Sequence, residues 1–320
     1  MHVPTPLPIP AAIRERPFTL AHARDCGIDR HALAGSRFRR LFSGVYICAE
    51  TPLDLDTWLE AAFLIAPPDS IATGLTGLRC RSIDIGPRWP LHLATSFDTR
   101  VRRPRVRMTR LTRLPANDGR LAAPANCFVA ACGHVDLLDA VTIGDWLLRN
   151  GVTRSDLDAA VAASHGRGVI LARRAMTLVR ERVESPRETY VRLMLVLAGL
   201  PEPRCNPNLG SSVTFIGRAD LAYLAYRLIV EYDGRFHTDE ENWDDDLDRV
   251  DDFADAEWAH IRVTARRLRR PRAMVMRIHH RLTQRGFVGA APTFNDEWIR
   301  LFETRTAAQR AHESLAGSWT

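Results

Sequence analysis

Between Arg218 and His237 the chain reads R-A-D-L-A-Y-L-A-Y-R-L-I-V-E-Y-D-G-R-F-H. No other stretch restricts the possible folds as much. It predicts two short β-strands. The second, Tyr226–Tyr232, is apolar at Leu228, Ile229 and Val230, as suits a strand buried on both faces. Asp220 falls in the first strand, and Glu231 and Asp233 at the end of the second. A buried strand does not end in two acids unless something compensates their charge. Hard divalent cations do so, because they take carboxylate oxygens. On adjacent antiparallel strands Asp220 and Glu231 can face one another closely enough to share a cation. Taken alone, the stretch also fits a strand end with solvated acids beside a turn at Gly234.

The chain has 320 residues, enough for two or three domains with real cores. Its six cysteines (Cys26, Cys48, Cys80, Cys127, Cys132, Cys205) are scattered and contain no C-x-x-C pair. That pattern argues against a zinc ribbon and a disulfide framework and for a reducing, cytoplasmic setting. No apolar run approaches the length of a membrane span, and no signal peptide is legible, so no membrane partner is expected. The net charge is +6, and there is no lysine: every cationic side chain other than histidine is arginine. A side-chain amine is therefore not available as a general base.

Residues 1–16 are rich in proline and read as a flexible arm. Thr19 can cap a short helix running to Cys26, with Gly27 as its stop, and Asp29 a second helix to about Ser36. Arg37 to Ile47 then reads as a β-hairpin turning at Ser43-Gly44. Two short helices before a basic hairpin are the layout of a winged helix-turn-helix, in which Arg37, Arg39 and Arg40 would reach DNA phosphates. The runs F-T-L-A-H-A-R-D-C-G and R-F-R-R-L-F-S-G-V-Y resemble the winged-helix domain of AbiEi-type antitoxin regulators over residues 17–50.

Residues 51–183 form a middle region, first mixed and then helical. Asp56–Ala66 carries a helical apolar stripe, and Trp89–Thr95 and Arg105–Leu111 read as strands. The arginines at 100, 102, 103, 105 and 107 make the densest basic patch, on what reads as a solvated strand face. Thr153 and Asp156 form a capping box for a helix to Ser164, and another helix covers Val169–Val183. Ser185-Pro186-Arg187-Glu188 is a strong helix start, with Ser as N-cap and Glu at the third position. Strands are expected near Arg204–Leu209, Val213–Leu224 and Ala259–Thr264, and helices near Ala273–Arg285 and Asp296–Ser314.

The motifs S-P-R-E-T-Y-V-R-L, G-L-P-E-P, R-A-D-L-A, L-I-V-E-Y-D-G-R-F-H, D-D-D-L-D-R and W-A-H-I-R-V-T follow one another in order. Together they resemble a bacterial domain family related to the very-short-patch-repair endonucleases, in the PD-(D/E)XK nuclease superfamily. The resemblance implies an α+β chain with a restriction-endonuclease-like mixed sheet flanked by helices over residues 184–286, followed by a helical extension over 287–320. It also implies a catalytic set of Glu188, Asp220, Glu231, Asp233, His237 and Arg249. Asp220, Glu231 and Asp233 would hold Mg²⁺ or Mn²⁺. Asp233 stands where the superfamily has its lysine. His237 is the natural substitute, since an imidazole titrates near neutral pH.

Eleven acids lie between Asp239 and Glu257 against one arginine. Helical spacing of Trp243, Leu247, Val250, Ala254 and Trp258 puts most of these acids on a solvated face. Asp246 and Arg249 flank the apolar stripe, where Arg249 can contact a scissile phosphate. Arg266 and Arg267, with Arg269 and Arg270, form a further phosphate patch. The expected activity is metal-dependent DNA cleavage, with DNA as partner and a homodimer possible. The alternative is an antitoxin-type DNA-binding regulator whose nuclease domain is degenerate.

Overall fold

Thr19 starts the first helix, α1 (Leu20–Asp25), by accepting the His22 amide on its hydroxyl at 3.2 Å. Asp29 does the same for α2 (Arg30–Leu33), accepting from Ala32 N at 2.7 Å. These are the caps expected from the sequence, but α2 stops short of Ser36. Its last turn tightens into short bonds, Ala34 N to His31 O and Gly35 N to Ala32 O, before a glycine that favours leaving the helix. Strands β1 (Phe18–Thr19), β2 (Phe38–Phe42) and β3 (Val45–Cys48) form an antiparallel sheet in the order β1-β3-β2. Gly44, at φ 81°, makes the hairpin turn where a side chain would be strained.

The computed structural model describes residues 8–98, 103–210, 215–233 and 257–304. Over these residues the chain is α+β, with helices and several small sheets. It divides into two units, one running to His134 and one beginning at Val135.

In the first unit Ile13 is fully buried with Phe18, Ala23, Leu33 and Phe38, so the second half of the expected arm is packed. Phe42 and Val45 of the hairpin face a different cluster. They join Trp58, Ala61 and Ala62 of α3 (Leu55–Phe63) and Leu91 and Leu93 of β5 (Leu91–Thr95). The expected break at residue 50 is therefore absent, because the hairpin supplies side chains to both cores. Strand β5 lies between β4 (Ile71–Ala72), antiparallel, and β6 (Val106–Arg110), parallel. Helices α4 (Gly74–Arg79) and α5 (Pro124–Ala131) complete this part.

His92 on β5 is 5% exposed, with its ring 4.2 Å from that of His134. Burial, aided by the neighbouring His134, pushes its pKa down to about 3. The folded value lies below the unfolded one, so this contribution to stability is whole above about pH 6.5 and is lost as pH falls toward the folded pKa. At pH 5 the loss is about 2 kcal/mol. Urea unfolding at pH 7 and pH 5, with His92→Phe as control, measures it: the variant should lack this part of the pH dependence.

The second unit opens with α6 (Leu137–Arg149), α7 (Arg154–Ala162), α8 (Val169–Leu178) and α9 (Pro186–Val196). The Thr153–Asp156 capping box of α7 is present. Helix α8 ends at Leu178, short of Val183, and the cause lies outside its own sequence. Arg180 N donates to Asp145 Oδ1 on α6 at 2.7 Å, leaving the helical ladder. Gly144 permits the approach, since a Cβ there would lie 2.3 Å from Val179. Asp145 and Arg192 of α9, 2% and 0% exposed at their side chains, pair at 2.9 Å. Arg192 also donates to Leu178 O at 2.8 Å and to Glu202 at 3.0 Å. Residues from 135 onward in the expected middle region thus belong with the C-terminal sheet.

That sheet has the order β12-β11-β10-β7, from β7 (Arg204–Cys205), β10 (Leu221–Tyr223), β11 (Leu228–Asp233) and β12 (Ala259–Thr264). Strands β8 (Asn208–Gly210) and β9 (Phe215–Arg218) pair separately. Two expected strands are therefore each broken in two. The first breaks at Asn206, which is left-handed at φ 44°, and the second at a bend at Ala219–Asp220. The short helix α10 (Ala265–Leu268) and α11 (Pro271–Gln284) follow. Trp298 is fully buried, with Nε1 donating to Met194 O of α9 at 2.9 Å. The segment expected as an extension therefore begins by packing on this unit; its residues beyond 304 lie outside the described ones.

Candidate functional site

Strand β11 is buried through Leu228, Ile229 and Val230 and reaches Glu231 still only 9% exposed. It pairs antiparallel with β10, Leu221 opposite Val230, and parallel with β12, Glu231 opposite Arg262. One step beyond the Leu221–Val230 pair, Asp220 comes opposite Glu231. It does so from the bend before β10 rather than from within a strand. There its Oδ2 accepts Tyr232 N at 2.9 Å, which ties the bend to the central strand. Side chains alternate along a strand, so Ile229 and Glu231 share one face of β11 and Tyr232 takes the other. On that other side the Arg187 guanidinium lies 5.8 Å from the centre of the Tyr232 ring.

The partner that the sequence reading missed is His260. Its Nε2 lies 2.9 Å from Glu231 Oε2, and both side chains are nearly buried, at 13% and 12% exposure. The parallel register sets His260 opposite Ile229, on the Glu231 face. A signal for it was present: in A-H-I-R-V-T the polar residues His260, Arg262 and Thr264 alternate with Ile261 and Val263, and so share one face.

Glu188 is 6% exposed and doubly bonded. Its own amide is capped by Ser185 Oγ at 3.2 Å, and its Oε2 accepts Glu184 N at 2.9 Å and Asn206 Nδ2 at 2.6 Å. Asn206 is the second residue missed. Its amide donates to Asp220 O at 2.8 Å, and its Nδ2 also reaches Arg182 O at 2.8 Å. Glu188 is thus joined to Asp220 through Asn206. The turn-forming N-P pair at Asn206-Pro207 was the available signal. Burial pushes the nearby Cys205 thiol up to about 11, which leaves it protonated and unreactive near neutral pH.

Asp233 ends β11 opposite Thr264. His237, Asp246, Arg249 and Gly234 lie outside the described residues, as do Arg100 and Arg102. Among the described residues no three of His, Cys, Asp and Glu are grouped to hold a metal ion. The carboxylates of Asp220 and Glu231 are donors of the right chemical type for a hard cation, and a complete ligand set needs more than these two. Of the other candidate arginines, Arg40 and Arg266 are exposed, and Arg37 is half-buried. Arg39 donates to Thr51 O, and Arg267 to Arg262 O.

No family model matches the chain, and no solved structure does. Two uncharacterized proteins of Mycobacterium tuberculosis, from strains CDC 1551 / Oshkosh and ATCC 25618 / H37Rv, are similar to it. Each is 33% identical over 124 residues, covering 38% of this chain and 46% of its own. The chain therefore spans about half the length of these relatives. No helix among the described residues is long and apolar enough to cross a membrane.

Proposed function

We propose that the chain is a metal-dependent DNA endonuclease whose catalytic centre lies at Asp220 and Glu231. The carrying observation is the fastening of Asp220 to the backbone of β11 beside Glu231, two acids at the edge of an apolar strand. Asp220, Glu231 and Asp233 would hold Mg²⁺ or Mn²⁺, which when bound supplies an acidified water and offsets phosphate charge. Asp220 and Glu231 bind and orient, and His260 holds the Glu231 carboxylate in place. His237 would orient the attacking water and Arg249 would meet the scissile phosphate. Glu188 acts through Asn206 on the position of the Asp220 bend. The surrounding architecture in this reading is a restriction-endonuclease-like sheet, β12-β11-β10-β7, with α9 against it.

The N-terminal elements β1, α1, α2, β2 and β3 fit a winged helix-turn-helix, with the β2–β3 hairpin as wing and Arg40 its exposed cation. That observation, with Asp233 in place of the superfamily lysine, also favours a second reading: a DNA-binding regulator of antitoxin type that does not cut. One assay separates the two. Purified protein is incubated with supercoiled plasmid with and without Mg²⁺ or Mn²⁺, and nicking and binding are read together. Nicking that requires the cation is the expected result. Metal-independent, sequence-specific binding without nicking selects the regulator.

A further inference from the structure

The first unit carries a basic groove that neither the proposed active site nor the hairpin uses. It has a volume of about 520 Å³ and is lined by Pro90, Arg103, Arg105, Val106, Arg107 and Met108, among others. Its three arginines are exposed. Arg110, further along the same strand, is paired with Asp98 at 2.8 Å. Arg103, Arg105 and Arg107 meet no carboxylate among the described residues. Among the described residues their charge is therefore not cancelled.

Arg105 is the most informative of the three. It is left-handed at φ 66°, a conformation that glycine or asparagine adopts more easily. Its carbonyl accepts Leu91 N at 2.7 Å, so the turn is fixed to the sheet. Its guanidinium lies 5.0 Å from the Trp58 ring centre and 5.1 Å from that of Trp89. Glycine, which has no Cβ, would form this turn with less strain. The strained residue also holds its cation against two indoles, a combination that suggests a functional role. Arg107 adds a second cation, 3.5 Å from His134 Nδ1.

We infer that this groove binds the phosphate backbone of DNA. Three exposed guanidinium groups lining one groove, with no carboxylate against them among the described residues, match phosphate oxygens in charge and donor chemistry. The Trp58 and Trp89 rings beside Arg105 hold its guanidinium in place, which suits the fixed spacing of backbone phosphates. The groove takes DNA as its ligand, as the proposed function does, but does not depend on the hydrolytic step.

The test uses the full chain in EDTA with a fluorescein-labelled generic duplex, read by anisotropy across a salt series. The variants are Arg103→Gln with Arg107→Gln, and separately Arg105→Gly, which relieves the strained turn and keeps its backbone bond. The double variant is expected to bind about tenfold or more weaker, with a salt slope smaller by about 1.8, since each phosphate contact carries about 0.9. Arg105→Gly is expected to weaken binding while melting no earlier than the parent. Unchanged affinity and slope in both variants overturn the inference. So does a loss seen only with Arg40→Gln in the wing, or binding to phosphatidylglycerol vesicles with none to the duplex. Absence of plasmid nicking, with duplex binding that still requires these arginines, removes the endonuclease reading and leaves the groove standing.

Discussion

Arg192→Met is expected to lower the stability of the unit beginning at Val135 by about 3–5 kcal/mol, read as a fall in the urea midpoint. The size follows from what remains. Asp145 is buried, and its acceptors are filled by Arg180 N at 2.7 Å, Thr189 Oγ1 at 2.8 Å and Arg192 Nη2 at 2.9 Å. Two of these donors survive the substitution, but the compensating charge does not. Burial pushes the Asp145 carboxyl above its ordinary range, and Arg192 opposes that push. In the variant only the Arg180 and Thr189 hydrogen bonds oppose the push, so the folded state takes up a proton at higher pH than the unfolded chain, which binds it near pH 3.9. The deficit is therefore full at neutral pH and shrinks as pH falls toward that value. Asp145→Asn placed on top of Arg192→Met keeps an acceptor for Arg180 N, gives the Thr189 hydroxyl a donor in the new amide and removes the stranded charge. It should recover more than half of the loss. Equal midpoints for Arg192→Met and the parent chain would show that the pair contributes little.

Asp220→Asn separates charge from structure at the proposed catalytic centre. The carboxamide oxygen can still accept Tyr232 N–H, so the bend and the pairing of β10 with β11 are kept. The anion is lost. If Asp220 holds the cation, several kcal/mol of transition-state stabilisation go with it, a rate loss of about 10³-fold or more. Cation-dependent nicking should disappear, while melting temperature and duplex binding in EDTA stay close to the parent values. Nicking at the parent rate would remove Asp220 from the chemistry, and the endonuclease proposal with it.

What could be read from the sequence was what the chain settles within a few residues. The caps at Thr19, Asp29, Thr153 and Ser185 each bond to an amide three residues on, and all four are present. The apolar run ending in Glu231 is a buried strand, as its composition requires. What escaped reading depends on partners remote in sequence. Helix α8 ends early because an acceptor on α6 takes an amide just beyond its end. The hairpin reads as part of one small domain, although Phe42 and Val45 face the core of the next segment. His260 meets Glu231 only through the parallel register of β11 and β12, which no local pattern fixes. Asp220 sits in a bend because Asn206 N donates to its carbonyl and Tyr232 N to its carboxylate, one contact with the break between β7 and β8 and one with β11.

Asn206 has a consequence for motion. Loop residues ordinarily exchange their amide hydrogens with solvent quickly, each on its own. Here one side chain and one amide bind the first turn of α9 to the Asp220 bend, and Glu184 N is held by the same Glu188 oxygen. Those amides are expected to exchange in a single cooperative opening, with equal protection by hydrogen exchange at Glu184 and Asn206 as the check. Asp220 is carried on irregular backbone, yet on this expectation it shares the slow breathing of a helix–sheet junction.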